Sequence, residues 1–366
     1  MTAHFDLIVI GGGIMGCASA IRAAQHGMRV AMIERASIGG GASGVNAGTL
    51  SLQIKRVKLM PYALAGHRIW EEAGEQVGFA KTGGLTLAFT DVEAEQLRER
   101  MTAKREAGAP IHFLSQAEVR EKAPNLCERV KLASWCAEDG YANSSLTGTY
   151  YRAALREAGV TIIEGADAPL LARAKGGFQA RIADEEVHGT RILLACGAGL
   201  EPAMAMFGVH IPVRVRVNSV SVTERAPRLV DPVIGHVTGL LTLKQKGNGT
   251  VLIGGGWQGR IDERTGASEV DPETIIPNLQ LAQFVLPALA RLRVVRCWTG
   301  FEVNVADFYP LAGPLPGVEG AYVLGCVRGG YTIGPYIGRL MGDLIAGREP
   351  EMPLFDPARL LAAAVQ

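Results

Sequence analysis

Apolar positions along the chain repeat in three ways. Unbroken runs at Leu7-Ile8-Val9-Ile10, Val30-Ala31-Met32-Ile33 and Ile192-Leu193-Leu194, and over residues 321–324, predict short strands buried on both faces. Helical spacing covers residues 14–25, 61–76 (Leu64, Ile69, Trp70), 92–107 (Leu97 and Met101 among many charges), 146–158 and 275–289, and a last helix runs through Ile345. Gly108 with Pro110, and Gly159, stop two of these helices, and Pro287 lies in or ends a third. Strict alternation appears at Val213-Arg214-Val215-Arg216-Val217, the mark of a half-buried strand. Further strands are predicted at 85–89, 160–164, 239–243, 251–253 and 292–298, with a hairpin at 170–174 and 178–182.

The order of these patterns predicts the architecture. Strand and helix alternate at the start, an apolar strand returns near 191, and antiparallel strands replace the parallel pattern between about 210 and 258. The fold class expected is α/β plus α+β: a Rossmann-like dinucleotide-binding domain interleaved with an antiparallel-sheet domain. The first would take residues 1–80, 137–211 and 299–366, and the second 81–136 and 212–298.

Composition narrows the function without naming it. Apolar residues make up 48% of the 366, enough for a sizeable core, and 37 basic against 36 acidic residues leave +1. No global field draws nucleic acid or an anionic membrane, so a small molecule or protein partner is expected. Cys17, Cys127, Cys136, Cys196, Cys297 and Cys326 form no C-x-x-C pair, so the spacing suggests no metal site. Reduced thiols and a cytoplasmic location, free or at the inner membrane face, are the expectation. No secretory leader or transmembrane run is read.

Chemistry is densest at the first strand. Gly11, Gly13 and Gly16 fit G-x-G-x-x-G between strand and helix: the first allows the turn, the second lets backbone approach a pyrophosphate, the third packs helix on strand. Glu34 ends the next strand eighteen residues after Gly16, where an acid would hold a ribose hydroxyl. The loop over residues 36–48, rich in glycine and carrying Ser43, would approach the ligand closely. A second glycine loop, Gly325-Cys326-Val327-Arg328-Gly329-Gly330, opens the last helix.

These motifs, with the Glu138-Asp139-Gly140 turn and Ala195-Cys196-Gly197-Ala198, occur in an order that resembles the D-amino-acid oxidase superfamily of flavoproteins over essentially the whole chain. Leu241-Thr242-Leu243-Lys244-Gln245, Ile253-Gly254-Gly255-Gly256-Trp257 and the last glycine loop look most like the beta subunits of opine oxidase and of D-hydroxyproline or proline dehydrogenase. Glycine oxidases and hydrogen cyanide synthase subunits come next. The resemblance implies FAD, held non-covalently, and oxidation of the C–N bond of an amino acid or secondary amine by hydride transfer to flavin N5, the imine then hydrolysing. The first domain would hold FAD and the second the substrate. Partners implied are the amine substrate and a hetero-oligomer with other flavin or iron–sulfur subunits.

Carried over by position, Gly11, Gly13, Ile14, Met15 and Gly16 would face the pyrophosphate, and Glu34 and Arg35 the adenosine. Ala42, Ser43, Asn46, Ala47 and Gly48 would line the middle of FAD, with Cys196 and Gly197 on the return strand. Gly300, Arg328, Gly329, Gly330, Tyr331, Thr332 and Ile333 would lie along the flavin ring. Departures matter as much. Where relatives carry an arginine in W-A-G-L-R-P, this chain has Trp298-Thr299-Gly300-Phe301-Glu302-Val303, so Arg328 is left to pair with a substrate carboxylate. Glu302 would face a cationic amine, a partner chain or solvent. Trp257, Lys244, Tyr331 and His236 are the remaining polar or aromatic candidates. Gly300 stands at the flavin-attaching cysteine of monomeric sarcosine oxidase, and Leu252 at its oxygen-activating lysine. Two alternatives stay open: an NAD-dependent dehydrogenase on the same fingerprint, and a flavin-carrying subunit active only with its partner.

Overall fold

A computed structural model describes residues 4–166, 169–183 and 185–362. The chain forms two compact units, one of Met1–Val45, Ser144–Arg216 and Phe301–Gln366, the other of Asn46–Asn143 and Val217–Gly300. The second unit thus takes in more of the early chain than 81–136. Thr49–Leu50 pairs antiparallel with Gly140–Tyr141, and the buried Asp139 carboxylate accepts from Ser51 Oγ at 2.5 Å and the Leu52 N–H at 2.8 Å, so both flanks fold together.

In the first unit, the strands Thr161–Ile163, Val30–Ile33, His4–Ile10, Glu185–Leu194 and Ala321–Gly325 lie side by side, all parallel. Numbered along the chain, that order is 3-2-1-4-5, a doubly wound sheet whose direction of winding reverses between the first and fourth strands. Leu311–Pro314 adds an antiparallel edge that the sequence pattern did not reveal. The return strand begins at Glu185 rather than near 191, because its first half pairs with the hairpin strand Gly177–Ile182 before its second half joins the parallel sheet. The core is built from Ile8, Ile10, Ile33, Ile192, Leu194 and Val323, with Leu200 and Met204 of a short helix, Leu200–Ala205, also not foreseen.

The second unit is carried by a sheet in the order Val294–Asn304, Arg214–Arg225, Thr250–Gly254, Thr242–Gln245, Val233–His236, Gly84–Ala88, Leu132–Cys136, Ile111–Leu114. Val233–His236 and Gly84–Ala88 pair in parallel, and the pairs on either side of them are antiparallel. Two expectations are corrected here. The strand expected at 239–243 runs over Thr242–Gln245, after a turn through Gly239 and a separate strand Val233–His236, and the helix expected at 275–289 is Pro272–Val285. Pro287 closes that helix and starts a short 3-10 turn, since it has no N–H to continue the ladder. The strands Ile111–Leu114 and Leu132–Cys136 and the helix Gln116–Lys122 are too short for their periodicity to stand out. Leu85, Leu87, Ile234, Leu243, Val251 and Ile253 meet Ala282 and Val285 of the helix in one core.

Candidate functional site

The switch point of the first unit is built from backbone. A Cβ on Gly11 (φ +108°) would lie 2.5 Å from the Ala195 carbonyl oxygen, and one on Gly16 would lie 2.1 Å from the Gly11 carbonyl oxygen. Neither position has room for a side chain, so strand end, helix start and return strand close on each other. Gly13 precedes the helix Ile14–Gln25 and has no side chain to cap it. Ser43, from the short helical turn Ala42–Val45, instead accepts the Ile14 N–H at 3.0 Å. Glu34 accepts the Gly12 N–H at 2.7 Å and the Ala36 N–H at 2.9 Å, and each oxygen keeps a lone pair for a further donor. Arg35 and Ala42 are exposed, Met15 is half-buried, and Ile14 is buried. Cys196 and Gly197 (φ +56°) follow the return strand, and nothing lies within 4 Å of where a Gly197 Cβ would be. Burial pushes the Cys196 and Cys326 thiols up to about 12, which leaves them protonated and poor nucleophiles.

A second glycine-opened helix starts beside the first. Cys326 (φ +56°) and Gly329 (φ +70°) take left-handed conformations, and the helix Gly330–Ile345 begins there without a side-chain cap. Its Gly334, Gly338 and Gly342 lie against Met15, Ala18 and Arg22 in the same order along the chain. A Cβ at Gly338 would come within 2.6 Å of the Ala18 Cβ, and one at Gly342 within 2.6 Å of the Arg22 Cβ. That ordering makes the two helices parallel and sets their N-termini, each a positive dipole end, at the same side. The Thr332 hydroxyl is fully buried there without a partner, and Ile333 is fully buried.

Arg328 and Glu302 are neighbours: Arg328 Nε lies 3.9 Å from Glu302 Oε1, with the arginine half exposed. Two residues along the same strand, Asn304 is buried with both amide atoms unpartnered. Residues two apart on a strand share a face, so this orphan amide belongs with Glu302. Only a polar residue at an alternate position could have announced it. Tyr331 shares a hydrogen bond with Thr147 Oγ1 at 3.0 Å, so its hydroxyl is engaged within the fold.

The second unit holds the remaining candidates. Asn46 Oδ1 accepts the Gly48 N–H at 2.7 Å, closing a turn around Ala47, with Gly48 at φ +71°. Lys244 is buried, and its Nζ donates to Thr49 Oγ1 at 2.5 Å. Desolvation, with Lys246 nearby, pulls its pKa down to about 7. Lys244 pairs directly with Leu252 across the sheet, so the two share a face. Trp257 Nε1 donates to the Leu240 carbonyl at 2.6 Å, which anchors the indole to the sheet. His236 Nδ1 accepts the Gly239 N–H at 2.8 Å while its ring stacks on Phe89, the arrangement of a structural histidine. Gly300 lies on the strand Val294–Asn304, and Cys297 on the same strand contacts Ser221 Oγ at 3.3 Å.

Residues 6–344 match the family described as FAD dependent oxidoreductase. The chain belongs to the FAD-dependent oxidoreductases. A glycine oxidase of Geobacillus kaustophilus is 26% identical over 97% of this chain and 96% of its own. An opine oxidase subunit of Rhizobium meliloti is 25% identical, covering 88% and 89%. The solved structure of L-proline dehydrogenase from P. horikoshii superposes with a TM-score of 0.91 at 22% identity, covering 99% of both chains, and shows the shared fold. The residues of this FAD-dependent oxidoreductase fit the cofactor. Gly11 and Gly16 let strand end, helix start and return strand close on each other, two helices that open on glycine start at one side, and the Thr332 hydroxyl is buried without a partner. The dinucleotide left open by the fingerprint is therefore FAD, and the NAD alternative is set aside. Among the described residues, no helix is long and apolar enough to cross a membrane.

Proposed function

We propose that this FAD-dependent oxidoreductase oxidises the C–N bond of an amino acid or secondary amine, of the D-amino acid, glycine or sarcosine, proline or hydroxyproline, or opine type. The observation that carries the proposal is the Arg328–Glu302 pair beside the glycine-opened start of the Gly330–Ile345 helix. Bound FAD supplies a two-electron acceptor at flavin N5 for the hydride of the carbon next to nitrogen.

The chain's own residues then position the substrate. Arg328, half exposed and able to bond both oxygens of a carboxylate, holds the acid group. Glu302, 3.9 Å away, offers a carboxylate to the amine end of a zwitterion. Gly329 and Gly330 bring backbone close to the flavin ring and Thr332 offers it a hydroxyl, with Tyr331 and Ile333 as its packing, and Gly11, Gly13 and Gly16 take the pyrophosphate. FAD is held non-covalently, because Gly300 offers no thiol. Positioning carries most of this chemistry, so no side-chain base is required. Water completes it by hydrolysing the imine.

The test is anaerobic exposure of the purified flavoprotein to D-amino acids, glycine, sarcosine, proline, hydroxyproline and opines. Bleaching of the flavin by members of this panel is expected, and failure of all of them overturns the proposal. A second reading, that the chain is the flavin-carrying member of a hetero-oligomeric dehydrogenase, draws support from its likeness to single subunits of an opine oxidase and of a sarcosine oxidase. Sustained turnover of an amine with oxygen by this chain alone would exclude it.

A further inference from the structure

We propose that His67, Glu71 and Glu138 form a binding site in the second unit for one zinc-type divalent cation, with Lys81 as the internal cation that occupies it in the metal-free chain. One ligand atom from each of the three residues lies within 4.8 Å of the other two. His67 and Glu71 are four apart on the helix Met60–Ala73 and so share a face, and Glu138 comes from the turn after the strand Leu132–Cys136.

Two observations independent of that spacing point to a ligand. His67 is only 3% exposed, its Nε2 has no partner, and its ring is held edge-on to Phe79 at 5.6 Å. A buried imidazole nitrogen left unpaired is costly unless something binds it. Charge is the second. Lys81 Nζ sits 3.1 Å from Glu71 and 2.6 Å from Glu138, while the buried Asp139 adds a third carboxylate to the field at His67. Two carboxylates face one ammonium.

One nitrogen and two carboxylate oxygens suit zinc rather than magnesium or calcium, which prefer oxygen alone. Metal–ligand bonds of about 2.0–2.2 Å require the three donors to close in, which the half-exposed Glu71 can do as Lys81 swings into solvent. Water would complete a tetrahedral site. Because Glu138 adjoins Asp139, whose carboxylate holds Ser51 and the Leu52 N–H, the ion would tie the helix to that buried network and stabilise the unit.

The test titrates the flavoprotein, cleared of metal with a chelator, with zinc chloride by calorimetry and follows its thermal melting. One zinc per chain, with a raised melting temperature, is expected. Lys81→Ala should bind zinc about tenfold tighter or better, because the internal competitor is gone. Glu71→Gln should lose the site, and Glu71 is exposed enough that the variant folds. An unresponsive wild-type protein, a Lys81→Ala variant that binds no tighter, or a Glu71→Gln variant that binds as well as wild type would each overturn the proposal. So would magnesium chloride binding as tightly as zinc.

Discussion

Two sets of helices begin differently, although the helix Met60–Ala73 of the second unit also opens, on Leu59, without a side-chain cap. In the second unit the helices Asp91–Glu106, Gln116–Lys122 and Pro272–Val285 open on Thr90, Ser115 and Asp271, whose side chains accept the first free N–H groups, with full capping boxes at Thr90–Glu93 and Ser115–Glu118. In the first unit the helices Ile14–Gln25 and Gly330–Ile345 open on Gly13 and Gly329, neither of which has a side chain to offer, and lie parallel with their starts together. A helix end must find acceptors somewhere. The capped starts are closed by their own side chains; at the glycine-opened starts Ser43 takes the Ile14 N–H and the Val327 carbonyl the Gly330 N–H, and the missing side chains leave room for a cofactor to approach the dipole ends.

The sharpest way to break this contrast is Gly16→Val. A Cβ there meets the Gly11 carbonyl at 2.1 Å, so the variant should purify without flavin and lose about 3 kcal/mol of stability. Visible absorbance and denaturant unfolding check both, and a yellow, stable variant would refute that close fit.

Next in size is Lys244→Met, which tests whether the second unit is built from side chains. The folded lysine has its pKa lowered to about 7 from an unfolded 10.5, so between those values the unfolded chain binds the extra proton and wild-type stability rises with pH. Below pH 7 both states are protonated and the penalty is fully present. Lys244→Met should therefore gain on wild type by on the order of a few kcal/mol near pH 6, and lose that advantage toward pH 10. Melting curves across that range decide it, and parallel curves would contradict a neutral buried amine.

Arg328→Ala returns to the first unit. It should raise KM for carboxylate substrates on the order of tenfold or more while leaving flavin content unchanged. An unaltered KM would remove Arg328 from the substrate. The smallest effect is expected from Thr90→Ala, which strips a cap from a scaffold helix: about 1 kcal/mol of stability, with flavin content and KM as in wild type.

The same contrast explains what could be read in advance. Gly11, Gly13, Gly16 and Glu34 were legible because a strand–turn–helix junction this tight restricts backbone conformation, and that restriction is written as glycine at fixed spacing. The parallel strands were legible as unbroken apolar runs. Glu34 holding two backbone N–H groups, and Ser43 capping a helix twenty-nine residues away, were not, since hydrogen bonds across loops leave no periodicity. The Gly334-Gly338-Gly342 stripe stood in plain sight, but its meaning depends on the helix it meets. Arg328 and Glu302 were each visible; their 3.9 Å separation joins segments twenty-six residues apart and needed the fold. The short strands Ile111–Leu114 and Leu132–Cys136 carry too few residues for alternation to outweigh chance.

The central claim is that this chain holds FAD on paired glycine-opened helices and uses it to break a C–H bond next to nitrogen. Its most direct test is single-turnover reduction of the bound flavin, without oxygen, by an amine that bleaches it, compared with the same amine deuterated at the carbon beside nitrogen. Markedly slower bleaching with the deuterated amine is predicted. Equal rates with chemistry limiting, or a flavin that dithionite reduces and no amino acid or amine does, would contradict it.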